Sequence, residues 1–176
     1  MQTPKDNQQS HAMTLLNTSL IRKLIVFLAA ALLSVSAMAA DFNQTQRLAN
    51  QGDALAQAML GVMYSKGEGV PQDYSKAAQW IEKSANQGYV EAQARLGLMY
   101  TQGEGVRQDY TKARQWYEKA ANQGSVEAQF ILGWMYYKGE GVRQNYNTAK
   151  EWFGKACDNG YQKGCDFYRS FKEAGF

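Results

Sequence analysis

The chain has 176 residues, 45% of them hydrophobic, and only 2 Pro. This composition is typical of a folded globular protein and excludes a disordered or collagen-like chain. The net charge is +3, but three basic residues and one acidic residue lie before residue 40, and the remaining charges nearly cancel. Electrostatics therefore give no case for nucleic-acid binding.

The first 39 residues resemble a removable leader. Arg22 and Lys23 precede an apolar run over residues 24–37, and small residues follow it. This order is typical of a secretory signal peptide, and a run of about 14 residues is shorter than the roughly 20 that span a bilayer. We expect translation from the first residue or from Met13, and cleavage after Ala39 or one residue later. The product would be a periplasmic or secreted protein without a membrane span.

The single histidine, His11, falls within this leader. A processed chain without imidazole excludes Ser/His/Asp and Cys/His catalysis and any His-based metal site. We therefore expect no catalytic residue, no metal and no cofactor.

An internal repeat of 36 residues dominates the rest of the chain. Residues 49–84, 85–120 and 121–156 align without gaps and share about two thirds of their residues pairwise. Positions identical in all three units include, numbered in the first unit, Gly52, Gln57, Leu60, Gly61, Tyr64, Gly67, Tyr74 and Trp80. We expect residues 40–48 to form an N-terminal capping segment, and residues 157–176 to form a partial fourth repeat with a C-terminal cap.

Each unit is predicted to fold as two amphipathic helices. In the first unit, one helical face carries Ala56, Leu60, Met63 and Tyr64, and a second carries Ala77, Trp80, Ile81 and Ser84. Gly67 suits the end of the first helix, and Asp73 suits the N-cap of the second. Gly61 lies within the first helix, where glycine costs about 1 kcal/mol relative to alanine. We therefore expect a close helix approach there, opposite Trp80 and its equivalents.

The repeated motif reads A-N-Q-G-x-x-x-A-Q-x-x-L-G-x-M-Y-x-x-G-E-G-V-x-Q-D-Y-x-K-A-x-x-W and covers residues 49–156. It resembles the SEL-1-like repeat family, relatives of the tetratricopeptide repeats. The resemblance implies an all-α fold, an α-solenoid of stacked antiparallel helix hairpins, and a role as a binding scaffold. The residues agree, because one hairpin cannot bury its own apolar face and about three stacked units are needed. We expect a monomer.

The two cysteines, Cys157 and Cys165, lie across the turn that follows the third unit. In an exported protein such a pair is most simply a structural disulfide. Cysteine-rich members of the SEL-1-like family have paired cysteines at this spacing. One alternative is a redox-active pair, although the C-x-x-C spacing is missing. The other is a zinc site, which would need two further ligands.

Positions that differ between units are the natural place for partner recognition. In a tetratricopeptide-like superhelix the first helices line the concave groove, and an aromatic stripe of Phe130, Trp134 and Tyr137 lies there at helical spacing. The candidate partner-binding residues are Val62, Leu98, Phe130, Ile131, Trp134 and Tyr137. The alternative for the aromatic stripe is that it packs on the C-terminal cap.

The predicted function is an exported, non-enzymatic scaffold that binds an unknown protein or peptide through its concave face. The main alternative is a cell-envelope enzyme or β-lactam-binding protein, because cysteine-rich SEL-1-like relatives have been linked to β-lactam binding. The absence of S-x-x-K and K-T-G motifs argues against it. A thiol-redox factor is the third hypothesis.

Overall fold

A computed structural model describes residues 40–175, and all regular secondary structure in that range is α-helical. Helix α1 covers residues 40–50. Seven further helices follow: α2 (Ala54–Lys66), α3 (Tyr74–Asn86), α4 (Val90–Gln102), α5 (Tyr110–Asn122), α6 (Val126–Lys138), α7 (Tyr146–Asp158) and α8 (Gln162–Glu173). None of the helices in this range is long and apolar enough to cross a membrane. The predicted signal peptide, Met13 and His11 lie outside the described residues.

The ends of the helices follow the local sequence as predicted. Gly67 ends α2 with a left-handed φ of 74°, and its N–H donates to the carbonyl of Met63. The Asp73 carboxylate accepts from the backbone N–H of Lys76 and so caps α3. This hydrogen bond lowers the pKa of Asp73. The same caps recur in the next two hairpins, at Gly103, Asp109, Gly139 and Asn145.

Each helix from α2 onward packs on the next one, so the chain is an α-solenoid of three hairpins, α2–α3, α4–α5 and α6–α7, extended by α8. The loops add a contact between hairpins. Gly105 adopts a φ of 70°, and a Cβ there would collide with the backbone carbonyl of Tyr74 in the preceding unit. Gly141 lies in the same way against Tyr110. Only glycine fits this close backbone approach. From the sequence, these glycines were predictable only as recurrent turn residues.

The expectation that the mid-helix glycines face the Trp80 series is wrong by one residue. A Cβ on Gly97 would lie 2.9 Å from the ring of Tyr117, which is buried, whereas Trp116 is only half-buried. Trp116 packs at the edge of the core formed by α1–α4, and the Nζ of Lys119 lies 3.7 Å from its ring centroid. The other two glycines behave alike, Gly61 facing Ile81 and Gly133 facing Phe153. Adjacent apolar residues on one helix both fit the helical period, so the pattern did not separate them.

A buried glutamine connects the turns at each of three inner junctions. In the middle one, Gln93 Nε2 donates to the Ala85 carbonyl at 3.2 Å, and its Oε1 accepts from Gln123 Nε2 at 2.8 Å. The other two junctions repeat this through Gln57 with Ala49 and Gln87, and through Gln129 with Ala121 and Asn159. Each junction therefore takes one hydrogen bond from the unit that follows it.

Candidate functional site

A cleft of about 740 Å³ lies between the first helices α4 and α6. Its apolar lining consists of Val90, Ala94, Leu98, Tyr117, Val126 and Ile131. Its polar lining consists of Glu91, Arg95, Gln123, Ser125 and Glu127, with Gly124 in the turn. We call this feature the α4–α6 cleft. An apolar surface with a few fixed polar groups is the usual composition of a recognition site.

The cleft exists because α4 and α6 use only one face each for packing within their hairpins. The core faces of both helices are buried through residues such as Leu96 and Leu132. Leu98 and Ile131 lie beside those faces, half-buried, and pack only in part against the core. Two of the predicted binding residues are therefore brought together in one cleft.

The preceding first helix, α2, also exposes large apolar side chains. Leu55 and Met59 on α2 are 51% and 47% exposed, among the most exposed large apolar side chains in residues 40–175. They occupy the positions that Glu91 and Arg95 hold one unit later. Val62, another predicted binding residue, is half-buried on the same helix and is not part of the cleft lining.

The aromatic stripe on α6 packs against the last helix, and its three side chains are half-buried. Trp134 and Phe130 lie 5.0 Å and 5.7 Å from the ring of Phe167, measured between centroids. Tyr137 lies 5.6 Å from Phe171, which is buried. These tilted and edge-on arrangements are the favourable ones for aromatic pairs. The structure thus packs the stripe against the C-terminal core, the alternative that the sequence left open, and leaves part of each side chain exposed.

A disulfide joins Cys157, at the end of α7, to Cys165, in the first half of α8. No cysteine in residues 40–175 is free. Cys157 and Cys165 hold the positions that Ala121 and Gln129 hold one unit earlier. The bond therefore takes the place of a glutamine junction and ties the start of α8 to the third hairpin.

Burial raises the pKa of the Tyr117 phenol, despite a hydrogen bond with Thr101, so the group is neutral at physiological pH. In the part of the chain that the structure describes, no group of three or more His, Cys, Asp or Glu residues could hold a metal ion. The cleft therefore presents apolar side chains and a few charged ones.

Of the twelve residues that line the cleft, only Leu98 and Ile131 were among the binding residues predicted from the sequence. Tyr117 holds the position of Ile81, which the sequence pattern placed on the apolar face of the second helix, so it was expected in the core and not in the cleft. Arg95 lies at a position that varies between units, with Met59 before it and Ile131 after it, but it was not among the predicted binding residues. The signal that identifies it is a charge at a position that is apolar in both neighbouring units.

Comparison with known proteins gives the same architecture. The Sel1 repeat family model matches residues 54–89, 90–125 and 126–161, with the 36-residue period found above but starting at the first helix of each hairpin. A Sel1 repeat protein from Oxalobacter formigenes is 38% identical, with a TM-score of 0.68, over 74% of this chain and 98% of that one. The search of curated proteins finds no match.

Two further solved structures are similar. One is a protective antigen with an SLR fold from uropathogenic Escherichia coli strains, 34% identical, with a TM-score of 0.67 over 77% of this chain. This chain covers only 33% of that protein. The other is Helicobacter pylori cysteine rich protein B, 25% identical, with a TM-score of 0.60 over 73% of this chain and 96% of that one.

Proposed function

The chain belongs to the Sel1 repeat family, and from this membership and the α4–α6 cleft we propose that it is an exported, non-enzymatic scaffold that binds a protein segment on its first-helix face. Sel1 repeats generally mediate protein interactions. The observation that carries the proposal is the half-buried apolar pair Leu98 and Ile131 in an open cleft. These side chains differ from those at the equivalent positions of the other units, as recognition residues in a repeat protein do.

The proposed site is narrower than the one expected from the sequence. Phe130, Trp134 and Tyr137 contact α8, so we assign them to stability rather than to partner binding. Leu98 and Ile131 remain, together with the exposed Leu55 and Met59 of α2. An extended or helical segment of a partner would lie across successive first helices and bury apolar side chains against them.

Export is part of the proposal. The disulfide supports an oxidising compartment, since thiols are kept reduced in the cytosol. The similarity to a cysteine rich Sel1 relative supports the same assignment. Removal of residues 1–39 in the cell would leave a periplasmic or secreted protein. Mass spectrometry of the processed protein should give an N-terminus at Ala40 or Asp41.

The binding proposal is tested by affinity capture from the envelope fraction of the producing cell, with Leu98→Gln as the cleft variant. Gln115→Asp is the matched control, because Gln115 is exposed on α5, outside the cleft. All three proteins must first show the same melting temperature. We expect a protein that the wild type and Gln115→Asp retain and that Leu98→Gln loses. Equal recovery on all three would contradict the proposal.

A further inference from the structure

The α4–α6 cleft has an equivalent one unit later, between α6 and α8. Four of the residues that line the cleft are replaced there by aromatic ones. Ala94, Leu98, Ser125 and Ile131 of the cleft correspond to Phe130, Trp134, Tyr161 and Phe167. The two places therefore belong to the same part of the repeat and differ in the size of their side chains.

Aromatic rings occupy the later place. The ring centroid of Phe130 lies 5.1 Å from that of Tyr161, and the centroid of Trp134 lies 5.0 Å from that of Phe167. Both Phe130 and Trp134 also pack on Phe153 of α7, at 5.4 Å and 6.4 Å. The chain itself thus shows which side chains fit at this place in the repeat.

In the α4–α6 cleft the same place is open. The side chains of Ala94 and Leu98 are smaller than the rings at the equivalent positions, and the cleft has a volume of about 740 Å³. Tyr117, which also lines the cleft, is the equivalent of Phe153. An aromatic side chain from a partner would therefore contact Tyr117 in the way that the rings of α6 contact Phe153.

The charged residues of the lining carry one negative charge in excess. Glu91 and Glu127, both exposed, hold the same position of α4 and α6, against one basic residue, Arg95. Arg95 follows Glu91 by one helical turn, whereas Ile131 holds that place after Glu127. Within residues 40–175, Glu127 takes part in no ion pair. On α8 the same position carries a basic residue, Lys163. A basic group is therefore complementary to the α6 side of the cleft.

From the open aromatic place and this charge we infer that the α4–α6 cleft takes a protein segment that inserts an aromatic side chain between Leu98 and Ile131 and pairs a lysine or arginine with Glu127. The inference rests on the proposed function and names the chemistry of its partner. Glu127 precedes Ile131 by one helical turn, about 6 Å, which two residues of an extended segment or one turn of a helical segment span. The basic residue is therefore expected within about four positions of the aromatic one.

The test uses random dodecapeptides displayed on phage, selected in parallel on the wild type, Glu127→Lys, Glu140→Lys and Leu98→Gln. Glu140→Lys is the matched control, since Glu140 is exposed in the loop after α6 and lies outside the cleft lining. We expect the wild type and Glu140→Lys to select peptides with Phe, Tyr or Trp close to a Lys or Arg. Glu127→Lys should still select aromatic peptides, but without the enrichment of basic residues.

A further variant fills the cleft from within. Ala94→Phe/Leu98→Trp introduces the side chains that α6 has at the equivalent positions, and it should bind the selected peptides at least about 10-fold more weakly. Gln115→Phe adds an aromatic ring on the exposed surface of α5, outside the cleft, and should bind as the wild type does. Thermal melting first verifies that each variant is folded.

Synthetic copies of a selected peptide locate the two contacts without a change in the protein. Replacing the aromatic residue by leucine should weaken binding about 5-fold, the contribution of an aromatic pair beyond its buried area. Replacing the basic residue by glutamine, or making Glu127→Gln, should weaken binding about 3-fold, as for a solvent-exposed ion pair. The last two changes together should cost little more than either alone.

The outcomes separate the inference from the proposed function. The inference is wrong if leucine replaces the aromatic residue without loss, if the folded Ala94→Phe/Leu98→Trp protein binds as the wild type does, or if no basic residue depends on Glu127. Binding that still depends on Leu98 then keeps the proposed function. If Ala94→Phe/Leu98→Trp does not fold, the peptide replacements decide alone. If binding is insensitive to Leu98→Gln, or if no peptide is enriched on the wild type, both are wrong.

Discussion

The inner junctions of this solenoid are connected by hydrogen bonds of a buried glutamine, whereas its last junction is connected by a disulfide. At an inner junction, the buried amide of Gln93 is satisfied by Ala85 on one side and by Gln123 of the following turn on the other. At the last junction, Cys157 and Cys165 hold the equivalent positions and are covalently joined. No unit follows in the described chain to donate to a buried amide oxygen there. A disulfide needs no such donor, so it suits an end where a glutamine does not.

The same contrast appears on the surface. In the middle of the molecule, Leu98 and Ile131 line an open cleft. At the C-terminal end, α8 covers the equivalent face of α6, and Phe167 packs on Trp134. The aromatic stripe thus packs against a further helix of the chain, whereas Leu98 and Ile131 line an open cleft.

The largest effect is expected in the middle of the core. Tyr117→Ala should lower the free energy of unfolding by about 3–5 kcal/mol, because a buried aromatic ring packed against Gly97 is removed. Trp116→Ala, its neighbour in sequence, should cost clearly less, since its ring is only half-buried. Urea unfolding of both variants measures the difference. A larger loss for Trp116→Ala would reverse the assignment of the core position.

The disulfide comes next. Cys157→Ala/Cys165→Ala should cost about 2.5 kcal/mol, the chain-entropy estimate for a loop of about nine residues. The loss of order should be confined to α8 and to the aromatic stripe beneath it, and hydrogen exchange locates it. An equal loss of protection in α2 and α3 would show that the disulfide does not stabilise the C-terminal end locally.

The next variant replaces the disulfide by the glutamine that the inner junctions use. Cys157→Ala/Cys165→Gln should be no more than about 0.5 kcal/mol more stable than the double alanine variant, because its amide oxygen has no following donor. Conversely, Gln93→Leu should cost about 1–3 kcal/mol, since the buried Ala85 carbonyl loses its donor and the Gln123 amide loses an acceptor. Denaturant unfolding of the three variants checks both statements. Full restoration by Cys165→Gln would mean that the following donor is unimportant.

The smallest effect is a dependence on alkaline pH. Because burial raises the pKa of Tyr117, the folded state keeps its phenol protonated at a pH where the unfolded chain has lost the proton. This contribution to stability is complete below the unfolded pKa of about 10 and is lost as the pH rises through the folded value. Tyr117→Phe should therefore lose less stability than the wild type between about pH 9 and about pH 11. Urea unfolding at each pH measures these losses of stability. Identical losses in Tyr117→Phe and the wild type would contradict the assignment.

The sequence was sufficient for the fold because its signals are local and repeated three times. The helix caps at Gly67 and Asp73, together with the 36-residue period, predict stacked hairpins. The family comparison confirms the period and the fold. The core assignment failed between Trp116 and Tyr117, because two adjacent apolar residues satisfy one helical period equally well. Only packing against Gly97 distinguishes them.

The binding surface was predictable only in part. Variation between units directed attention to the first helices, where the α4–α6 cleft lies, but the same rule also selected Phe130, Trp134 and Tyr137. Whether such a stripe meets solvent or another helix depends on where α8 packs, and this is a contact between distant positions that no local pattern encodes.

The central claim is that the middle of the first-helix face binds while the aromatic stripe stabilises. The most direct measurement is thermal melting together with peptide affinity on Leu98→Gln and Trp134→Ala, using a peptide selected on the wild type. We predict that Leu98→Gln melts near the wild-type temperature and binds at least about 10-fold more weakly. Trp134→Ala should melt at a lower temperature and, while folded, bind as the wild type does. A Trp134→Ala protein of wild-type stability with impaired binding, beside a Leu98→Gln protein with unchanged affinity, would contradict the account.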